Sequence, residues 1–199
     1  MKTIILASAS PRRKELLEKI NLKFEVDASD CEENINPWLE PRLKPREIVR
    51  QLSIKKAKSV AARHKNAIII AADTIGVEGD RLLGKPHTKN EASKMLYAIS
   101  GKSHLVITGF SILDTTTNKI VTGTVDTRVY IKKLTDEEID AYVKTGEPMD
   151  KAGAYAIQGM GAVIVEKIEG DYYNVMGLPL NALTEALKEF GINVWDITP

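Results

Sequence analysis

The sequence has little of what small stapled or metal-bound modules are built on. Its single cysteine, Cys31, excludes an internal disulfide and a cysteine-rich zinc site, and fits a reducing compartment. His64, His87 and His104 are scattered without metal-ligand spacing. Neither sign of charge dominates: 28 Lys and Arg stand against 27 Asp and Glu, so no overall field draws the chain to nucleic acid or to a membrane surface. Any anion binding must therefore be local. Long hydrophobic runs are missing too, and no segment approaches the roughly 18 apolar residues of a membrane span. Ile4 to Leu6 with Ala7-Ser8-Ala9 imitates a secretory signal, but the apolar run is far shorter than the usual about 7 to 15 residues and Arg12, Arg13 and Lys14 follow at once. These absences predict a cytoplasmic protein without nucleic-acid or membrane partners.

What is present is an ordinary globular composition, 43% hydrophobic and 28% charged over 199 residues, enough for one domain across residues 1–199 with a sizeable core. No internal repeat or low-complexity tract interrupts it. Thr3 to Ala9 reads as a strand, after which Ser10 as N-cap and Pro11 at the first helical position open a helix. Phe24 to Ala28 reads as a second strand, Asp30 to Lys44 as a long loop, and Pro45 to about His64 as a helix. Ala67 to Ala72 is nearly all apolar, as a central strand covered on both faces should be, with Asp73 at its C-terminal edge. Thr88-Lys-Asn-Glu91 and Thr135-Asp-Glu-Glu138 match the capping box and predict helices from Lys89 and from Asp136, the latter stopping at Gly146. His104 to Asp114 and Lys119 to Lys132 predict two long strands; a glycine-punctuated loop, a strand over Ala162 to Ile168 and a helix over Leu180 to Phe190 follow. Alternating elements interrupted by a hairpin predict an α/β fold with a mixed central sheet flanked by helices, and a ligand where strand ends and loops converge.

Two nucleotide motifs fail on inspection. Gly101-Lys102-Ser103 lacks the earlier glycine of a P-loop, since Leu96 stands there, and Gly159-Met-Gly161 has Ile164 where a dinucleotide fingerprint needs its third glycine. Three other clusters point to phosphate chemistry. In Ser8-Ala9-Ser10-Pro11-Arg12-Arg13, two arginines sit in the first helical turn, where the macrodipole is already positive and each costs a few tenths of a kcal/mol unless an anion visits. Phosphate held by backbone N–H groups, hydroxyls and guanidinium forks is one reading; a capped helix with solvated arginines is the other. Asp73-Thr74 at a strand end, with Gly84-Lys85-Pro86 beyond, suggests a carboxylate for a metal or a water and a lysine for phosphate, or else a cap and a surface lysine. The run Glu147 to Gly159 is a ligand-type loop in which Gln158 offers both a donor and an acceptor, as a base-reading amide or a satisfied surface one. Tyr172 and Tyr173 suit stacking on a base or completing the core.

Taken in order, SASPRRKELL, the AADT strand end, LGKP, GEPMDKAGAYAIQG and YYNVMGLP resemble the Maf family of nucleoside triphosphate pyrophosphatases, a branch of the inosine triphosphate pyrophosphatase-like fold, over Ile4 to about Leu187. The resemblance implies two lobes around a nucleotide cleft and hydrolysis of a nucleoside triphosphate to the monophosphate and pyrophosphate with Mg²⁺ or Mn²⁺. It also implies Asp73 as proton acceptor or metal-positioning carboxylate, Glu33 as a second metal-site acid with Glu32 adjacent, and Arg13, Lys56 and Lys85 as triphosphate contacts beside Ser8 and Ser10. Arg12, Thr74 and Gln158 match the subtype that prefers dTTP and UTP, whose imide edge a glutamine amide and a threonine hydroxyl can satisfy. A homodimer is a further implication. The competing expectation is a nucleotide-responsive regulator of septum formation and cell division that does not turn its ligand over.

Overall fold

The computed structural model describes residues 2–31, 44–79 and 81–196, leaving the Asp150 side chain aside. Within them, β1 (Thr3–Leu6) leads to α1 (Pro11–Lys19), β2 (Glu25–Val26), α2 (Pro45–Ala61), β3 (Ala67–Glu78), β4 (Arg81–Leu83) and α3 (Lys89–Ile99). The chain continues through β5 (Ser103–Asp114), β6 (Ile120–Ile131), α4 (Asp136–Lys144), β7 (Val165–Glu169), α5 (Tyr172–Met176) and α6 (Leu180–Lys188). The sheet runs β2-β1-β3-β5-β6-β7, with β4 paired to β3. β1 lies parallel to both β2 and β3, opposing Thr3 to Ala67 and Leu6 to Ile70, whereas β3–β4 and β6–β7 are antiparallel. The expected mixed α/β sheet flanked by helices is the one observed.

The chain divides into two compact units. One comprises Met1–Thr74, Thr108–Val125 and Gly177–Pro199; the other comprises Ile75–Ile107 and Asp126–Met176. In the first, Ile5 and Ala7 of the β1 segment, Ala67, Ile69 and Ala71 of β3 and Leu113 of β5 pack with Ala57 and Val60 of α2. Gly109 explains how closely α2 can lie: a side chain there would drive its Cβ to 2.5 Å from the Val49 carbonyl carbon, so only glycine admits this approach. Ser53 of α2 and Ser111 of β5 meet in the interior at 2.7 Å, Ser111 donating to Ser53, whose own hydroxyl donates to the Arg50 carbonyl. In the second unit, Ala92, Leu96 and Ile99 of α3 and Ile139, Tyr142 and Val143 of α4 pack with Val129 and Ile131 of β6, with Ala154, Tyr155 and Ile164 joining them.

Most predicted boundaries hold within a few residues, with informative exceptions. Ser10 is the N-cap residue of α1 and Pro11 its first helical residue, but the Ser10 side chain makes no capping bond. Instead the Ser10 N–H donates to Ser8 Oγ at 3.2 Å. Thr135 and Glu138 form the full reciprocal box, whereas Glu91 takes the His87 N–H at 2.7 Å and leaves Thr88 to cap alone. β3 does not end at Ala72: twelve residues long, it runs on to Glu78 and places Asp73 and Thr74 in mid-strand. Ala162 and Val163 belong to a 3₁₀ turn rather than to β7, and β4 and α5 are elements the apolar periodicity did not signal.

Candidate active site

In the first unit, polar side chains from segments distant in sequence meet two consecutive residues of β3, Asp73 and Thr74. β3 carries Asp73 into a nearly buried position, 6% exposed, and α2 brings Lys56, 7% exposed, to meet it. Lys56 Nζ donates to Asp73 Oδ1 at 2.5 Å. Burying either charge without the other would be costly, so the pair fixes the carboxylate's place in the strand.

Beside Asp73, the next residue of β3 is tied to the arginine turn of α1. Arg13 spreads its guanidinium over three acceptors: Nε donates to the Gly177 carbonyl at 2.8 Å, Nη1 to Ser8 Oγ at 3.1 Å and Nη2 to Thr74 Oγ1 at 3.2 Å. The solvated-arginine reading therefore fails for Arg13, which is half-buried and held as a fork. Thr74 Oγ1 also lies 2.9 Å from the fully buried Thr108 Oγ1. Arg12 is half-buried on the same turn of α1. Two polar groups thus form on consecutive residues of β3, Lys56 with Asp73 and Arg13 with Ser8 and Thr74, Ser10 being joined to the second through Ser8.

In the second unit the other two expected contacts lie on linked loops. Lys85 is exposed on the turn after β4, and this turn is fastened by the Gly153 N–H, which donates to the Gly84 carbonyl at 2.9 Å. Gln158 is half-buried and immediately precedes the 3₁₀ turn Gly159–Val163, whose backbone it does not cap with its side chain. Around it, Glu147 accepts the Tyr142 hydroxyl and the N–H groups of Met160 and Gly161. Burial pushes the Glu147 carboxyl up, but these three donors outweigh it and hold its pKa below the usual carboxylate range. Beneath the loop, Tyr155, 6% exposed, lies 2.8 Å from Nε2 of His104, which is 2% exposed. Desolvation drives the His104 pKa down to about 4 against a small opposing pull from Glu78, so the ring is neutral at pH 7. Tyr172 is exposed and Tyr173 half-buried, their rings edge to face at 5.6 Å, while Asn174 is fully buried and donates to the Val106 carbonyl and Thr127 Oγ1.

Glu33, and Glu32 beside it, lie outside the described residues, and no cluster of three potential metal ligands occurs among the described ones. Nor is any helix among them long and apolar enough to cross a membrane. Sequence reasoning passed over Thr108, Glu147 and Tyr142 as site residues. The signals were faint: a hydroxyl residue within the apolar run of β5, and an acid pressed between Gly146 and Pro148.

Comparison with known proteins gives this arrangement its family. The Maf-like protein family model matches residues 3–190. The chain belongs to that family. The dTTP/UTP pyrophosphatase of Methanococcoides burtonii is 52% identical over 98% of this Maf-like chain and 99% of its own length. A dTTP/UTP pyrophosphatase of Bacillus anthracis is 48% identical, covering 98% of each chain. Among solved structures, the Staphylococcus aureus Ham1 protein aligns with 95% of this chain and 100% of its own, at 13% identity and a TM-score of 0.49.

Proposed function

We propose that this Maf-like protein is a nucleoside triphosphate pyrophosphatase that hydrolyses dTTP and UTP to the monophosphate and pyrophosphate. The observation that carries the reading is the buried carboxylate Asp73, paired with Lys56 and followed in β3 by Thr74, which the Arg13 fork holds. A site that only bound a polyanion would gain nothing from a carboxylate at its centre, since like charges repel. Relatives about half identical over nearly their full length carry the same activity in their names.

In this mechanism Asp73 orients a water and takes its proton as the water oxygen bonds to the α-phosphorus. The bridging bond from that phosphorus to the β-phosphate oxygen breaks, and pyrophosphate leaves. Arg13, Lys56 and Lys85 stabilise the negative charge that moves onto the leaving group, the main contribution expected in phosphoryl transfer. Ser8, Ser10 and Arg12 complete the phosphate grip at the start of α1. The donor chemistry fits Mg²⁺ or Mn²⁺, which take hard oxygen ligands and are commonly held by one or two carboxylates together with substrate phosphates. Asp73 and Glu33 would hold such an ion, which when bound neutralises phosphate charge and polarises the phosphoryl oxygens.

Base preference falls chiefly to Gln158. Thymine and uracil present an N–H between two carbonyls, and a primary amide can accept from the first while donating to one of the second. Thr74 contributes through the fork, because its hydroxyl already serves Arg13 and Thr108. The test is pyrophosphate release from a panel of nucleoside triphosphates with Mg²⁺ or Mn²⁺, the Asp73→Asn variant alongside. Release from dTTP and UTP well above purines, lowered roughly a hundredfold in the variant, is the expected result. Near-normal turnover in the variant removes Asp73 from its role, and nucleotide binding without release favours the septum-formation regulator.

A further inference from the structure

The segment around Gln158 is fastened on both sides by a hydrogen-bond chain in which the Gln158 side chain takes no part. On one side the Ala156 N–H donates to the Tyr142 hydroxyl at 3.1 Å. Tyr142, 6% exposed on α4, donates its own hydroxyl to Glu147 Oε1 at 2.8 Å. On the other side Glu147 Oε1 accepts the Gly161 N–H at 2.9 Å and Oε2 the Met160 N–H at 3.0 Å. The clamp thus grips the chain two residues before Gln158 and two and three residues after it. Gly159, in between, holds φ at 65°, and a Cβ there would collide with the Glu147 carboxylate where it stands, so this turn with the acid in place calls for glycine.

We propose that Tyr142 and Glu147 are positioning residues that set the direction of the Gln158 amide and thereby the discrimination between pyrimidine bases. The inference rests on the reading of Gln158 as the base-contacting residue. An amide discriminates only while its donor and acceptor face the right partners, and a loop free to rotate by a few tens of degrees would let it accept either edge. A carboxylate is suited to the clamp because it accepts from several donors at once. Glu147→Gln replaces one oxygen by an N–H₂ that must face either Met160 N–H or the Tyr142 and Gly161 donors. Tyr142→Phe removes the hydroxyl alone and releases Ala156 from the chain.

The test uses dTTP and dCTP, which differ at the edge in question: a ring N–H beside a carbonyl in one, a ring nitrogen acceptor beside an amino group in the other. Steady-state kcat and KM for pyrophosphate release are measured for Gln158→Ala, Tyr142→Phe, Glu147→Gln and the Glu147→Gln/Gln158→Ala double variant. Gln158→Ala is expected to lower the dTTP-to-dCTP ratio of kcat/KM by roughly tenfold. Tyr142→Phe and Glu147→Gln are expected to lower it by roughly three- to tenfold, chiefly through a raised KM for dTTP, and the double variant to fall no further than Gln158→Ala. A pin serving only to stabilise the fold would lower turnover on both nucleotides alike and leave the ratio where it was, which overturns the proposal. A ratio unmoved by Gln158→Ala itself overturns the base-reading assignment instead, and the positioning role with it. If Glu147→Gln does not fold, Tyr142→Phe, which deletes one oxygen, decides.

Discussion

The two units organise their functional side chains in opposite ways. In the first, charged and hydroxyl side chains hold one another across long stretches of chain: Lys56 on Asp73, Arg13 on Ser8, Thr74 and the Gly177 carbonyl. In the second, one short segment is shaped by backbone N–H groups converging on a single carboxylate, Glu147, with Tyr142 and the buried Tyr155–His104 pair beneath. The first arrangement suits a fixed task, placing charge against phosphates and a reacting phosphorus. The second suits discrimination, because small changes in loop backbone re-aim an amide without disturbing the charges. Substitutions at Asp73 and the Arg13 fork should accordingly affect chemistry, and substitutions in the Glu147 clamp selectivity.

The largest effect is expected where the first unit's buried pair is broken. Asp73→Asn, besides losing roughly two orders of magnitude in turnover, removes the carboxylate from a lysine whose side chain is 9% exposed, and should cost on the order of 3 kcal/mol of stability. Adding Lys56→Met withdraws the buried ammonium as well. Chemical denaturation of the double variant should recover most of that stability while pyrophosphate release stays as low as in Asp73→Asn. If stability stays low, the pair is not what destabilised the single variant, and Asp73 holds β3 by other contacts.

The second unit is expected to answer to pH instead. With a folded pKa of about 4 against about 6.5 in the unfolded chain, His104 binds its proton more readily once unfolded. The unfolded state thus takes up more protons between those values, and stability falls as pH drops through that window, by up to about 3 kcal/mol, levelling off below pH 4. Asp27, held down to about 2 by the Arg63 and His64 hydrogen bonds, and Asp114, held to about 2 chiefly by Lys2, contribute stability above their ordinary carboxylate pKa. That contribution fades only as pH falls from 3.8 through 2, below the histidine window. Denaturation midpoints from pH 7.5 to 4.5 should fall more steeply in the parent protein than in His104→Phe. Parallel curves would mean that His104 is already solvated.

How far the sequence revealed this division follows from the physics of each half. Apolar runs and capping residues located the strands and helices because they report local periodicity and local hydrogen bonding. The first-unit charges were legible as well: arginines at a helix N-terminus are locally unfavourable, and an acid after six apolar residues is out of place, so both invite a partner. The partners themselves were not legible. Nothing in a one-dimensional pattern says that Lys56, one of several lysines on α2, turns inward to Asp73, or that Thr108 backs Thr74. In the second unit the loop was recognisable by its glycines and by Gln158, but its geometry depends on which carboxylate gathers which N–H groups. Glu147 and Tyr142 look in sequence like ordinary helix-end residues.

A smaller effect should sharpen the contrast by testing the fork that binds the first unit's segments together. Arg13→Lys keeps the positive charge but cannot reach three acceptors with one ammonium in the same geometry. Losing one or two of these charge-assisted hydrogen bonds is worth about 1 to 2 kcal/mol, or roughly tenfold in kcat/KM. Because the fork handles phosphate rather than base, the loss should fall equally on dTTP and dCTP, leaving their ratio intact where Tyr142→Phe moves it. Thr74→Val, which removes one of the three acceptors and the link to Thr108, should give a lesser loss, and combining it with Arg13→Lys should add less than the sum of the two, since both sever the same bond. Strict additivity would show that Arg13 and Thr74 act separately on the substrate, and a shifted nucleotide ratio in Arg13→Lys would show that the first unit also reads the base.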